Sequence, residues 1–525
     1  MLALLLMAAQ AGYVDPASCR PCHTRIFDAY IKTGMGRSFS PAATNAVPPL
    51  RNFTHAKSQR SYSVIERDGR SLLRRTPPEL ERTMDYVIGS GNHSQTFVHR
   101  SAAGQLFELP VSWYRGQWAM SPGYDRPDHS DFRREVADSC LFCHNGYPSA
   151  ANSGLASGID CQRCHGPGEA HVQRTGPIVN PAKLATPRGL EVCLQCHLES
   201  ASRTLPEAIR RPGRDPFSFR PGEALSAYKV YFEFIGSSPA VAGDRITVNG
   251  AGYGLLKSQC FIRTEPGRLQ CTTCHDPHGA VRVDFTQVCR SCHQAAHQPA
   301  RQACTGCHMP KRRTEDAVHV VMTDHLIRKH LPRGNPLAPI EERHDKLTGP
   351  VRLLYPPALT HSPPDRLIVA MAGDDAVALQ SAIVHQAQPR PEPFLRLAEL
   401  FTKAGRPAEA ARAYKSAIAA DPANPGPYAR IADPAALDRF PNDVPLLNTI
   451  AVVYAGQSRF DEALTLMQRA VRLAPGDPVS WLNLGVCLEA KGNRAGAIAA
   501  YTGALVLQPE LSQARNYLLR LKTSK

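Results

Sequence analysis

Apolar and polar positions change their period along the chain. Between residues 60 and 125 they alternate in short runs: "YSVIERDGRSLLRRT", "QLFELPVSWY" and "QWAMSPGY". Alternation with period two predicts half-buried strands, and Asp68-Gly69 between the first two runs predicts a two-residue hairpin turn. Residues 215–258 contain "AYKVYFEF" and "DRITVNGAGYGL", which read as strands around a Gly-rich turn. Around and between these runs, in 133–200 and 260–330, the pattern is irregular, and short helices within long loops are expected. Residues 331–375 are Pro-rich ("LPRGNPLAP", "YPPALTHSPPDR") and predict a linker.

From residue 376 the chain becomes Ala-rich and repetitive. Segments near 391–424, 444–477 and 478–511 share one internal spacing. The first carries Leu397-Ala398, Gly405, Ala410, Tyr414, Ala417 and Pro422. The second carries Ile450-Ala451, Ala463, Met467, Ala470 and Pro475. The third carries Trp481, Leu484-Gly485, Gly492, Ala497, Tyr501, Ala504 and Pro509. A period of about 34 residues with this small/large alternation is that of tetratricopeptide repeats, whose paired helices approach closely at the small residues. Residues 425–443 read as an insertion and 512–525 as a capping helix, so 376–525 is expected to be an all-α solenoid.

The chemistry lies in the cysteines. Of 16 Cys, fourteen form seven C-x-x-C pairs: Cys19/Cys22, Cys140/Cys143, Cys161/Cys164, Cys193/Cys196, Cys271/Cys274, Cys289/Cys292 and Cys304/Cys307. Each pair is followed by His: His23, His144, His165, His197, His275, His293 and His308. A zinc ribbon has no use for that His, and neither has a disulfide framework. Covalent haem c uses all three residues. The two thiols form thioethers with one porphyrin, and the next imidazole lies under the iron as its proximal ligand. Seven covalent haems are therefore expected in 13–330. Their fourteen propionates would offset most of the formal charge of +15, which removes the main argument for a nucleic-acid partner. Haem attachment of this kind takes place outside the cytoplasmic membrane. It agrees with "MLALLLMAAQAG", read as a truncated signal segment over 1–12, and predicts a periplasmic or extracellular protein. No stretch approaches the roughly 18 apolar residues of a membrane span. Cys260 and Cys487 read as small buried thiols.

A six-coordinate iron needs a second, distal ligand. The candidates are His171, His278, His319, His325, His55, His129, His93, His99 and Met35. His278 follows His275 by three residues, which span at most about 10 Å, less than the roughly 12 Å separating the Cα atoms of two His on one iron. It must serve a neighbouring haem.

The pieces "GIDCQRCHGPGEAH", "CTTCHDPHG" and "CTGCHMPKRRTEDAVH" resemble the multihaem c-type cytochromes of the cytochrome c-552/554 and doubled-CXXCH groups. The resemblance covers 13–330 in patches, and the repeat tail resembles a fusion found with such cytochromes. It implies a multihaem cytochrome c region of short helices, loops and some β-hairpins, bis-His haems, electron transfer, and distal roles for His171, His278 and His319. Related nitrite reductases carry a C-x-x-C-K catalytic haem, and no motif here ends in Lys. The expected function is accordingly electron transfer to redox partner proteins, with no catalytic residue and with the solenoid as a docking module. The alternative is an oxidoreductase of small nitrogen or sulfur compounds at one five-coordinate haem. Within 391–525, Lys and Arg outnumber Asp and Glu by only 16 to 12, weak for phosphate binding. A module of this kind should be removable without loss of cofactor.

Overall fold

The computed structural model describes residues 12–42, 47–102, 104–129, 131–147, 155, 157–198, 208–235, 245–293, 303–330, 334–342 and 350–523. The candidate signal segment, except Gly12, lies outside the described residues.

The alternating runs fold as expected. Arg60–Arg67 and Arg70–Thr76 pair in register, Arg67 opposite Arg70. Asp68 and Gly69 both take positive φ (51° and 71°), the backbone a two-residue turn needs when it follows the strand twist. With Phe53–His55 and Leu80–Thr83 these strands make a four-stranded sheet. A six-stranded sheet is built around Gln95–Arg100 and Leu106–Tyr114. Tyr62, Leu73, Val87, Phe97, Leu109 and Val111, each at most 1% exposed, form the core that the two sheets share.

A third sheet joins Ala208–Arg210, Lys229–Phe234 and Val351–Tyr355. Within residues 331–375, expected to be a linker, Val351–Tyr355 is thus a strand of this sheet and Pro363–Ala372 a helix. "GAGYG", expected to be a turn, starts the helix Ala251–Lys257. The reason is close packing rather than turning. A Cβ on Gly252 would stand 2.5 Å from Leu194 Cδ2, and one on Gly254 would stand 2.7 Å from the Leu326 nitrogen.

The C-terminal region is a helical solenoid: Pro391–Lys403 with Pro407–Ala420, Val444–Gly456 with Phe460–Leu473, and Pro478–Ala490 with Arg494–Leu507, closed by Ser512–Thr523. Helices Pro363–Ala372 and Ala376–Ile383 precede these pairs. At Gly485 a Cβ would meet the Tyr501 ring at 2.4 Å, which is why the third pair needs a small residue there.

The solenoid is not a freely hanging module. At one end Ile209, Val230 and Phe232 of the third sheet share a core with Leu367, Ile368, Leu397 and Phe401. At the other end a polar clamp holds it to the first two sheets. Arg60 bonds Asp131 at 2.7 Å and Glu510 at 2.5 Å; Arg75 bonds Asp131 at 3.1 Å and the Val506 carbonyl at 2.5 Å. Arg133 reaches Gln508 (2.7 Å) and Asp477 (3.2 Å).

Asp131 is the centre of this clamp, and its side chain is fully buried. Burial pushes its carboxyl up, but His129, Arg60 and Arg75 outweigh that and hold it below the usual carboxylate range. A depressed pKa stabilises the fold above the unfolded value of about 3.9, and that contribution is lost as pH falls through the folded value. Asp131→Asn should therefore lower the melting temperature at neutral pH, with the gap to wild type closing between about pH 5 and pH 2. A gap of constant size would remove Asp131 from the clamp.

Candidate functional site

All seven C-x-x-C-H motifs sit on or overlap single turns or short helices, among them Asp138–His144, Gln162–His165, Arg188–His197 and Cys304–His308. The first motif, Cys19–His23, overlaps the start of Arg20–Tyr30. Helical spacing puts residues three apart on one face, so both Cys of a pair look the same way and the following His lies beside them. In the second, third and fourth motifs the two residues between the Cys face the other way and anchor the turn. Leu141 and Phe142, Gln162 and Arg163, and Leu194 and Gln195 are all buried. The first and third motifs are drawn together by a close backbone crossing. Gly158 (φ +66°) passes Gly36 so tightly that a Cβ would stand 2.2 Å from the Gly36 carbonyl oxygen.

The fourteen expected thioether positions all carry thiols outside any disulfide, but they are not the uniform set that their common spacing implies. Cys22 of the first motif and Cys292 of the sixth are exposed, whereas Cys143, Cys196 and Cys307 are half-buried. The residues inside these two motifs, Arg20-Pro21 and Arg290-Ser291, are exposed, as are Thr272 and Thr273 of the fifth, whereas the interior pairs of the second, third and fourth motifs are buried. Cys196 lies close to Cys164, whose thiol burial pushes up to about 12. Of the two Cys outside the motifs, Cys487 is buried as expected. Cys260 is only half-buried, near Cys292.

Among the described residues, three motif imidazoles face a second imidazole from elsewhere in the chain. His23 and His171 have ring centroids 6.2 Å apart, His165 and His278 6.1 Å, and His275 and His325 6.1 Å. Two metal–nitrogen bonds of about 2.0 Å plus two ring radii of about 1.1 Å give about 6.2 Å, the spacing of two imidazoles on one metal. His165 Nδ1 donates to the Val179 carbonyl (2.8 Å), His308 Nδ1 to Arg328 (2.5 Å) and His325 Nδ1 to Thr323 (3.0 Å). A proton held at Nδ1 leaves the Nε2 lone pair free for a metal. Burial pushes His144, His165, His197, His275 and His325 down, favouring the neutral form a ligand requires.

The other candidates lie elsewhere. His55 is bonded at both ring nitrogens, to Ser58 (2.8 Å) and Asp125 (3.1 Å). His129 belongs to the interdomain clamp, against Asp131 and Ser58. His99 bonds Thr83 and Asp85, and His319 lies on the Tyr114 ring at 5.2 Å. His93 is exposed, near the Val321 backbone, and Met35 stands in the turn whose carbonyl receives the Ser38 and Ile159 amides. No local spacing marks the facing pairs, since each joins residues far apart in sequence.

Motifs also meet one another. The Cys19 thiol lies within hydrogen-bond reach of Cys161, Cys193 of Cys271, and Cys289 of Cys304; all six thiols are free. Exposed apolar side chains gather beside the motifs: Ile26 behind His23, Val172 beside His171, and Val281 and Phe285, the latter edge-on to His275 at 5.5 Å. Among the described residues no three His, Cys, Asp or Glu side chains converge as a bare-ion site requires. The donors come as facing pairs, next to thiols and apolar surface. That set fits a flat apolar macrocycle that brings its own equatorial nitrogens.

Among the described residues no helix is long and apolar enough to cross a membrane. No curated protein matches the chain. Among solved structures, the solenoid is similar to a thermophilic tetratricopeptide protein of Thermus thermophilus (20% identity, 28% of this chain and 89% of that one, TM-score 0.25). It is also similar to a MamA fragment from Desulfovibrio magneticus (19% identity, 25% and 83%, TM-score 0.22). Two family models, both described as tetratricopeptide repeat, match residues 394–426 and 435–512. The C-terminal region of this chain therefore consists of tetratricopeptide repeats, a fold that mediates protein–protein interaction.

Proposed function

We propose that the chain is an exported seven-haem cytochrome c that transfers electrons, with its repeat region as the docking element for a redox partner protein. The observation that carries this reading is the set of facing imidazoles, His23/His171, His165/His278 and His275/His325, at the spacing of two axial ligands. The thioether positions are the fourteen motif Cys, and the proximal ligands are the seven motif His. When bound, haem c supplies reversible one-electron exchange at iron. The chain's own residues would hold it: the motif Cys by thioether bonds, and the facing imidazoles as paired donors.

The test is direct. Denaturing intact-mass measurement and a pyridine haemochrome assay should count seven covalent haems, and the ferric spectrum should be predominantly low-spin. A count of zero, or a protein loaded with zinc, rejects the reading. Seven haems with one high-spin iron that binds carbon monoxide would move the function to a small-molecule oxidoreductase.

A further inference from the structure

Arg163 lies between Cys161 and Cys164 of the third motif and is 1% exposed. Its guanidinium stands in an aromatic cage, 4.2 Å from the ring centroid of Phe142, 4.7 Å from Tyr147 and 5.4 Å from Phe217. One amino group donates to the Phe142 carbonyl at 2.8 Å. Nε and the other amino group have no partner among the described residues. The Asp160 carboxylate on the same turn is committed to the backbone amides of Gln162 and Arg163.

The cage is also where three motifs meet. Phe142 is the matching interior residue of the second motif. Gln195, the matching residue of the fourth, donates to the Arg163 carbonyl at 3.3 Å. Cys143 and Cys196, the second thiols of those two motifs, are both close enough to feel the guanidinium charge. Two further cations stand over the same rings, Arg220 over Tyr147 (5.4 Å) and Lys229 over Phe142 (5.1 Å). A permanently charged guanidinium, dry and only partly hydrogen-bonded, acts on its surroundings with little screening by water or salt, offset in part by the Asp160 carboxylate on the same turn.

We infer that Arg163 is a positioning residue of electrostatic kind: a fixed positive charge at the junction of the second, third and fourth motifs that raises the electron affinity of the irons held by His144, His165 and His197. The inference rests on the seven-haem reading. Adding an electron to iron near a buried cation is favoured, so removing the cation lowers the reduction potential there.

The experiment is a spectroelectrochemical titration of the full-length holoprotein carrying Arg163→Met or Arg163→Gln. Met fills the cage without charge and is the gentler change, because apolar replacements of buried charges are often tolerated. With seven haems still attached, at least one component of the titration should move to lower potential. Arg163→Lys should restore the wild-type curve. Unchanged potentials in a seven-haem Met or Gln variant overturn the inference, as does a Lys variant that titrates like Met. Failure of both neutral variants to load seven haems, with Lys loading normally, also overturns it and assigns the charge to folding. A wild-type haem count of zero rejects the cofactor reading instead, so the two failures are distinguishable.

Discussion

Ending the chain after residue 390 is expected to destabilise the part that remains. Two losses act together. At one end Ile209, Val230 and Phe232 lose Leu397, Ala398, Leu400 and Phe401 from their common core. At the other end Arg60 and Arg75 keep one carboxylate, Asp131, between them, and lose Glu510 and the Val506 carbonyl. Removing one partner from a buried ionic cluster costs about 3–5 kcal/mol, because a charge is left in a dry site without compensation. Newly exposed apolar side chains each add about 1.5–3 kcal/mol. A loss of that size is a large part of the roughly 5–15 kcal/mol that holds a domain folded. The truncated protein should therefore show a lower melting temperature, faster hydrogen exchange in residues 53–135, and fewer than seven haems per chain. The milder Glu510→Gln should show the same exchange pattern to a lesser degree. A truncated protein with wild-type melting and cofactor content would restore the solenoid to a removable module, as its sequence alone implies.

That difference between module and strut illustrates what the sequence discloses. Local patterns were legible. Asp68-Gly69 announces its turn because two consecutive positive φ angles suit few other pairs, and the 34-residue period announces the solenoid because each repeat must leave the same small positions for its neighbour. The motif Cys and His were legible because each C-x-x-C-H set falls within five consecutive residues. Their shelter was not, since Cys22 and Cys292 share the spacing of Cys143 and Cys196 but not their surroundings. Pairings over long distances were hidden too. Nothing near Arg60 points to Glu510, and nothing near His23 points to His171, since both contacts arise from how whole elements cross. Glycine misled at "GAGYG", where the same lack of a Cβ that permits a turn instead lets a helix press against Leu194 and Leu326. Proline misled at 351–372. It broke the apolar pattern, yet Pro363 and Pro364 stand in the first turn of a helix, where a missing amide hydrogen costs nothing.

His278→Ala is expected to convert one iron from low to high spin without loss of haem. His278 follows the fifth motif by three residues, but its ring faces His165 of the third at 6.1 Å and 14° between planes. On the seven-haem proposal, covalent attachment at that site would be through Cys161 and Cys164, which the substitution leaves untouched, so mass and haemochrome counts should stay at seven. The change is in the ligand field. Without the His278 imidazole, an iron held by His165 would lose its low-spin state, so a high-spin resonance should appear and the reduced protein should bind about one carbon monoxide per chain. The potential of that iron shifts, while the His23/His171 and His275/His325 pairs keep theirs. His99→Ala supplies the contrast. His99 bonds Thr83 and Asp85 on a sheet edge, so its loss should leave every spectrum as in wild type. Imidazole added to the His278→Ala protein should restore the low-spin signal, because the space left at residue 278 has the shape of the ring removed. If His278→Ala stays fully low-spin and binds no carbon monoxide, the third motif's iron takes its second ligand from another residue, and the 6.1 Å facing pair is a packing contact.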